Sequence, residues 1–107
     1  MPGGSDVVEE DVEDRIAAAL PGLDRLGHVV AFDFGDAVSI VDARNAPARF
    51  AEDDDLAPDC TIKISRGNLV ALLDGRLDPM LGYTLGKIRV NGSLGVAMKL
   101  IGAIGRD

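Results

Sequence analysis

The 107-residue chain has one cysteine, one histidine, one tyrosine and no tryptophan. A single cysteine excludes an internal disulfide and any zinc site built on several thiolates. Aromatic residues make up 4% of the chain, too few for a platform on which bases stack. Basic residues are also in short supply: 11 Lys and Arg face 18 Asp and Glu, a net charge of -7. Nucleic-acid binding needs a basic footprint to displace counterions, so no nucleic-acid partner is expected. An anionic membrane surface should repel the average face of such a chain. No run approaches the ~18 apolar residues of a spanning helix, so stable membrane insertion is not expected. Met1 to Asp6 lack the basic and apolar regions of a signal peptide, and Gly105-Arg106-Asp107 is not a peroxisomal tripeptide. A cytoplasmic location is the resulting expectation.

Hydrophobic residues make up 47% of the chain and charged residues 27%, a globular composition sized for one domain over 1–107. Ser5 and Asp6 are N-cap residues for a first amphipathic helix. Val8, Val12, Ile16, Ala19 and Leu20 form its apolar stripe, and Pro21-Gly22 is its stop. A short turn around Leu23 and Leu26 follows. The period then changes to two. Val30, Phe32 and Phe34 form one strand, Gly35-Asp36 a tight turn, and Val38 and Ile40 the next strand. Residues 48–51 form a third after the turn at Asn45 to Pro47, so 29–51 reads as an antiparallel meander.

Glu52 to Asp55 reads as a solvated loop; it lacks the spacing and the Gly of a calcium loop. Cys60, Ile62 and Ile64 alternate as a fourth strand, with Cys60 a small buried hydrophobe. Leu69, Val70, Leu72 and Leu73 sit at helical spacing. Asp78-Pro79 opens a second short helix carrying Met80, Leu81 and Leu85. Lys87 to Asn91 alternates as a fifth strand, and residues 93–104 make a last helix capped by Ser93. Grouped strands beside grouped helices predict an α+β fold. Lys99 is the only charged side chain between Ser93 and Arg106. A helix so apolar is either buried, a contact for a homodimer or partner enzyme, or a cover over an apolar chamber.

Three linked stretches carry a resemblance. They are Gly75-Arg76-Leu77-Asp78-Pro79, Gly86-Lys87-Ile88-Arg89-Val90-Asn91-Gly92, and Gly95-Val96-Ala97-Met98-Lys99-Leu100; upstream stands Ala57-Pro58-Asp59-Cys60-Thr61-Ile62-Lys63-Ile64-Ser65. Together, over about residues 11–104, they resemble the sterol carrier protein type-2 domain. Gly82-Tyr83-Thr84-Leu85 stands where that family carries an aromatic pair. The resemblance implies a five-stranded, mostly antiparallel sheet with helices over one face and an apolar tunnel between them. It also implies binding of fatty acids, fatty acyl-CoA, sterols or other lipids without chemistry and without a cofactor.

An acyl chain gains about 0.8 kcal/mol per buried methylene, so its site must be dry and apolar. The candidate walls are Phe32, Phe34, Ile40, Ile62, Ile88 and Val90 from strands. From helices they are Leu69, Leu72, Leu73, Met80, Leu81, Leu85, Met98 and Ile101. An inward Ile or Leu in a small domain is usually ordinary core, and that reading stands beside each of them. Tyr83 is a candidate for a ligand head group, or an interfacial packing residue. Lys87 and Lys99 read as solvated lysines, with a ligand carboxylate or phosphate as the alternative. The expected function is therefore lipid binding and transfer. The alternative is an accessory module that presents a lipid intermediate to a partner enzyme. An enzyme would have to draw on Tyr83, His28 and Asp33, which nothing in the sequence brings together.

Overall fold

The computed structural model describes residues 12–52 and 56–104. The proposed caps Ser5 and Asp6, with Val8, lie outside this range, as does most of the acidic run ending at Asp55. Residues 12–19 are helical (α1), and Val12 and Ile16 turn into the core. Pro21-Gly22 does not end the chain's helical course at once. It lies inside a 3-10 turn, Leu20–Leu23, closed by Asp24 N donating to the Pro21 carbonyl at 3.3 Å.

Five strands follow: β1 (Val29–Asp33), β2 (Val38–Asp42), β3 (Arg49–Phe50), β4 (Cys60–Ile64) and β5 (Ile88–Gly92). They form one sheet in the order β3-β2-β1-β4-β5. Every neighbouring pair is antiparallel except β1 with β4. The meander over 29–51 is present, with β3 shortened to two residues. Helices α2 (Arg66–Leu73), α3 (Pro79–Thr84) and α4 (Leu94–Ile104) complete the α+β fold.

Register decides which side chains face the helices. Val30 pairs with Val41 and Cys60, and Phe32 pairs with Ser39 and Ile62, so these six share a face. That face carries the core, with Phe32, Ile62, Leu69, Leu72, Ile88 and Leu100 all buried in it. On β2 this reverses the alternation that hydrophobicity suggests. Ser39 and Val41 point to the core, whereas Val38 is exposed and Ile40 pairs with Ala31 on the other face. The tight turn sets this register, because Phe34 N donates to the Ala37 carbonyl at 2.8 Å and leaves Asp33 opposite Val38. A one-residue shift would exchange both faces of the strand. Ser39 answers its buried position by donating from Oγ to Glu13 on α1 at 3.5 Å.

Candidate functional site

The short helix α3 begins at Asp78, whose carboxylate accepts a hydrogen bond from Leu81 N at 2.9 Å, with Pro79 at the first helical position. Its buried residue is the smallest one. Gly82 rests on Ile88 of β5, where an added Cβ would stand 2.9 Å from Ile88 Cδ1 and 3.4 Å from Leu77 Cδ2. This close seat turns the large side chains outward. Met80, Leu81, Tyr83 and Leu85 are all exposed.

Helix α4 is capped by Ser93, whose Oγ accepts from Val96 N at 3.2 Å. Val96, Ala97, Leu100, Ile101 and Ile104 bury against the sheet and the 3-10 turn. Leu94 and Met98, four residues apart on one helical face, remain outside. Seven large hydrophobics are exposed among the described residues. Six of them, with 44% to 59% of their surface open, fall between Met80 and Met98; the seventh is Val38. Isolated apolar side chains on a surface need no explanation, but a concentration in two elements flanking one strand does.

The candidate wall residues therefore divide into groups. Phe32, Ile62, Leu69, Leu72, Ile88 and Ile101 meet in one packed core, with Phe34, Leu73 and Val90 half-buried against it. Met80, Leu81, Tyr83, Leu85 and Met98 stand on the outside of that core. Ile40 lies on the opposite face of the sheet, so the structure does not bring it to the others. Leu94 belongs with the exposed group. Its spacing of four from Met98 was the sequence signal for it.

Charge gathers at one end of the sheet. Lys63, Lys87 and Arg89 line a cleft of about 590 Å³ together with Asp33, Phe34 and Gly86. Arg66 stacks over the Phe34 ring at 5.0 Å while donating to Asp36 at 2.8 Å. A second groove, of about 410 Å³, runs between the 3-10 turn and α4, where Leu26, Gly102 and Ala103 meet Arg25 and Lys99. At the other end of β1, Asp59 accepts from Val29 N at 3.0 Å and lies 3.2 Å from His28 Nδ1. The Val29 hydrogen bond, followed by that of His28, holds the Asp59 carboxyl below its ordinary value. His28 and Asp33 flank opposite ends of β1, roughly 16 Å apart at about 3.3 Å per residue, and Tyr83 sits on α3. The three groups do not form an acid–base site. Among the described residues no cluster of His, Cys, Asp or Glu could hold a metal ion, and no helix is long and apolar enough to cross a membrane.

Residues 10–105 match the SCP-2 sterol transfer family. Sterol carrier protein 2 of Bos taurus is 33% identical over 82 residues, which cover 71% of this chain and 15% of that protein. The chain thus spans a small part of the sterol carrier protein 2 relatives it matches. The solution structure of sterol carrier protein domain 2 of Helicoverpa armigera is 25% identical, with a TM-score of 0.63 over 95% of this chain and 86% of that one. Sterol carrier protein 2 of Aedes aegypti, solved in complex with palmitate, gives a TM-score of 0.61 at 20% identity, over 91% of this chain and 96% of that one.

Proposed function

This chain belongs to the SCP-2 sterol transfer family, and we propose that it binds and transfers a lipid, with a fatty acyl chain as the ligand class, and performs no chemistry on it. The observation that carries this reading is the set of six exposed apolar side chains on α3, α4 and the residues beside them. Met80, Leu81, Leu85, Leu94 and Met98 offer an acyl chain the apolar contact that water denies it. The ligand chain enters beside α3 and α4 and lies against Ile88, Val90 and Ile101, the part of the core nearest those helices. Met80 and Met98 suit such a site because an unbranched thioether side chain adapts to ligands of different shape. Tyr83 offers its hydroxyl to the polar end. The palmitate complex of the Aedes aegypti protein supports an acyl chain as a ligand class.

The test is native mass spectrometry of protein purified without detergent, followed by titration with a fluorescent fatty acid. Stoichiometric uptake is expected, with Leu81→Asp and Met98→Asp each weakening it at least tenfold while the far-UV spectrum stays unchanged. A clean apo mass together with no uptake of any acyl or sterol probe would sink the reading.

A further inference from the structure

An acyl chain at the proposed site and helix α3 compete for one surface. Ile88, against which the chain should lie, is only 1% exposed. Its cover is Gly82, with Leu77 beside it. A Cβ added to Gly82 would stand 2.9 Å from Ile88 Cδ1, 3.3 Å from Ile88 Cγ1 and 3.4 Å from Leu77 Cδ2. Carbon atoms in ordinary contact lie about 3.5–4.0 Å apart, so not even a methyl group fits between helix and strand. Neither the cleft beside Lys63 nor the groove beside Lys99 is lined by Leu77, Gly82 or Ile88.

A cover of this kind must lift before a ligand can reach Ile88, and α3 is lightly held. Gly82 is the one buried residue of Pro79–Thr84. A helix is normally anchored by a stripe of large inward side chains. Here Met80, Leu81 and Tyr83 all lie exposed instead. The hydrogen bonds of the segment are also local. Leu81 N donates to the Asp78 carboxylate at 2.9 Å, Gly82 N to the Asp78 carbonyl at 2.8 Å, and Lys87 N to the Gly82 carbonyl at 2.8 Å. Among the described residues, no hydrogen bond ties residues 79–86 to α2, to α4 or to another strand. Sparse apolar burial and local hydrogen bonding mark a segment at the low-stability end of a fold.

We propose that Gly82 is the residue that sets which lipids the site prefers. The ligand enters by lifting α3 off Ile88, and the lift breaks more contacts the broader the ligand is. Because Gly82 has no Cβ, the helix starts in full contact with β5. A single flexible acyl chain lifts it least, and a rigid fused-ring lipid lifts it furthest. A side chain at position 82 would hold the helix off the strand before any ligand arrives, and the broader ligand would gain most from that. The inference rests on the carrier reading and adds to it the selectivity of the site and the residue behind it.

The experiment titrates the full chain with a fluorescent fatty acid and with the fluorescent sterol dehydroergosterol. The parent should prefer the fatty acid by about tenfold or more. Gly82→Ala should reduce that preference by about threefold or more, mainly through tighter sterol binding. G82A/I88V deletes the Cδ1 methyl that the new Cβ meets, so it should return the preference to about the parent's. That rescue is the readout a merely structural role would not give, since Ile88→Val on a destabilised fold only removes more packing. Gly102→Ala, whose Cβ meets nothing within 4 Å, should leave the preference unchanged. In the parent itself, the Ile88 Cδ1 methyl resonance should shift as fatty acid binds and Gly82 leaves it. Uptake of fatty acid with an unmoved Ile88 methyl, sterol bound by the parent as tightly as fatty acid, a preference that Gly82→Ala does not alter, or no rescue by G82A/I88V would each overturn the role of Gly82 and leave the carrier reading standing. No uptake of either probe would overturn the carrier reading, and the role of Gly82 with it.

Discussion

Gly92 passes Asp59 so closely that no side chain fits between them. An added Cβ would stand 2.6 Å from the Asp59 carbonyl oxygen and 3.1 Å from the Cα of Cys60. The same carbonyl accepts a hydrogen bond from Ser93 N at 3.0 Å. The end of β5 and the start of α4 are thereby fastened to the start of β4. Gly92 also adopts φ +95°, a region that side chains rarely enter.

Gly92→Ala meets backbone atoms, which cannot rotate away. It should cost about 2–4 kcal/mol and lower the midpoint of thermal unfolding by about 10 °C or more. Gly102 is the control. It lies within α4 with no atom within 4 Å of an added Cβ, so Gly102→Ala should stabilise by about 0.5–1 kcal/mol. Urea titration of the two variants should give shifts of opposite sign.

Acid should destabilise the fold in a defined window. The Arg44 side chain holds the Asp42 carboxyl at about 2, against an ordinary 3.8. Asp59 is lowered by Val29 N and His28, and Asp74 by Arg15 and then Arg76. All three are depressed in the folded state, so what they contribute is present above the unfolded value and lost as pH falls through the folded one. The decline should run from about pH 4 down to about pH 2. Because these carboxylates are solvent-accessible, each effect is modest. Asp59→Asn should unfold at a lower temperature than the parent at pH 7, with the two curves converging as acid protonates the Asp59 carboxyl of the folded parent.

Cys60 should be a slow nucleophile. It is buried, and burial pushes its thiol up to about 11, with the Asp59 charge adding to the effect. At pH 8 the folded protein should react with a disulfide reagent only at the rate at which it opens. Denaturant should release one fast equivalent.

Core and site residues should separate by what their loss affects. Phe32→Ala removes a fully buried ring and should cost about 3–5 kcal/mol, which threatens folding itself. Leu81→Ser changes an exposed position and should stay within about 0.5 kcal/mol of the parent. Its effect should appear in acyl-probe titration, as a severalfold loss of affinity.

Element order was legible because the hydrophobic period changes from 3.6 to two at Val29 and because Asp78-Pro79 and Ser93 are strong start signals. Faces were harder to read. On β2, Val38 and Ile40 look more like core than Ser39 and Val41. A turn hydrogen bond outranks that preference, and hydrophobicity alone does not report it. The parallel pairing of β1 with β4 depends on residues about 30 apart, beyond the reach of any local pattern. On α3 the apolar residues are large and the buried one is a glycine. A reading that looks for bulky inward side chains therefore places Met80, Leu81 and Leu85 inside. Nothing in the spacing reports that Gly82 allows helix and strand to touch.

A strand of two residues makes a poor template. β3 closes one edge of the sheet with Arg49 and Phe50 alone. A second chain arriving at that edge could add very few backbone hydrogen bonds, and Arg49, exposed, would stand in its way. The opposite edge strand, β5, alternates Arg89 with its inward residues and ends on the bent backbone of Gly92. Both borders of the sheet are thus poorly suited to growth from chain to chain. The protein can expose a cluster of oily side chains on its helices with little risk that its strands will seed fibrils.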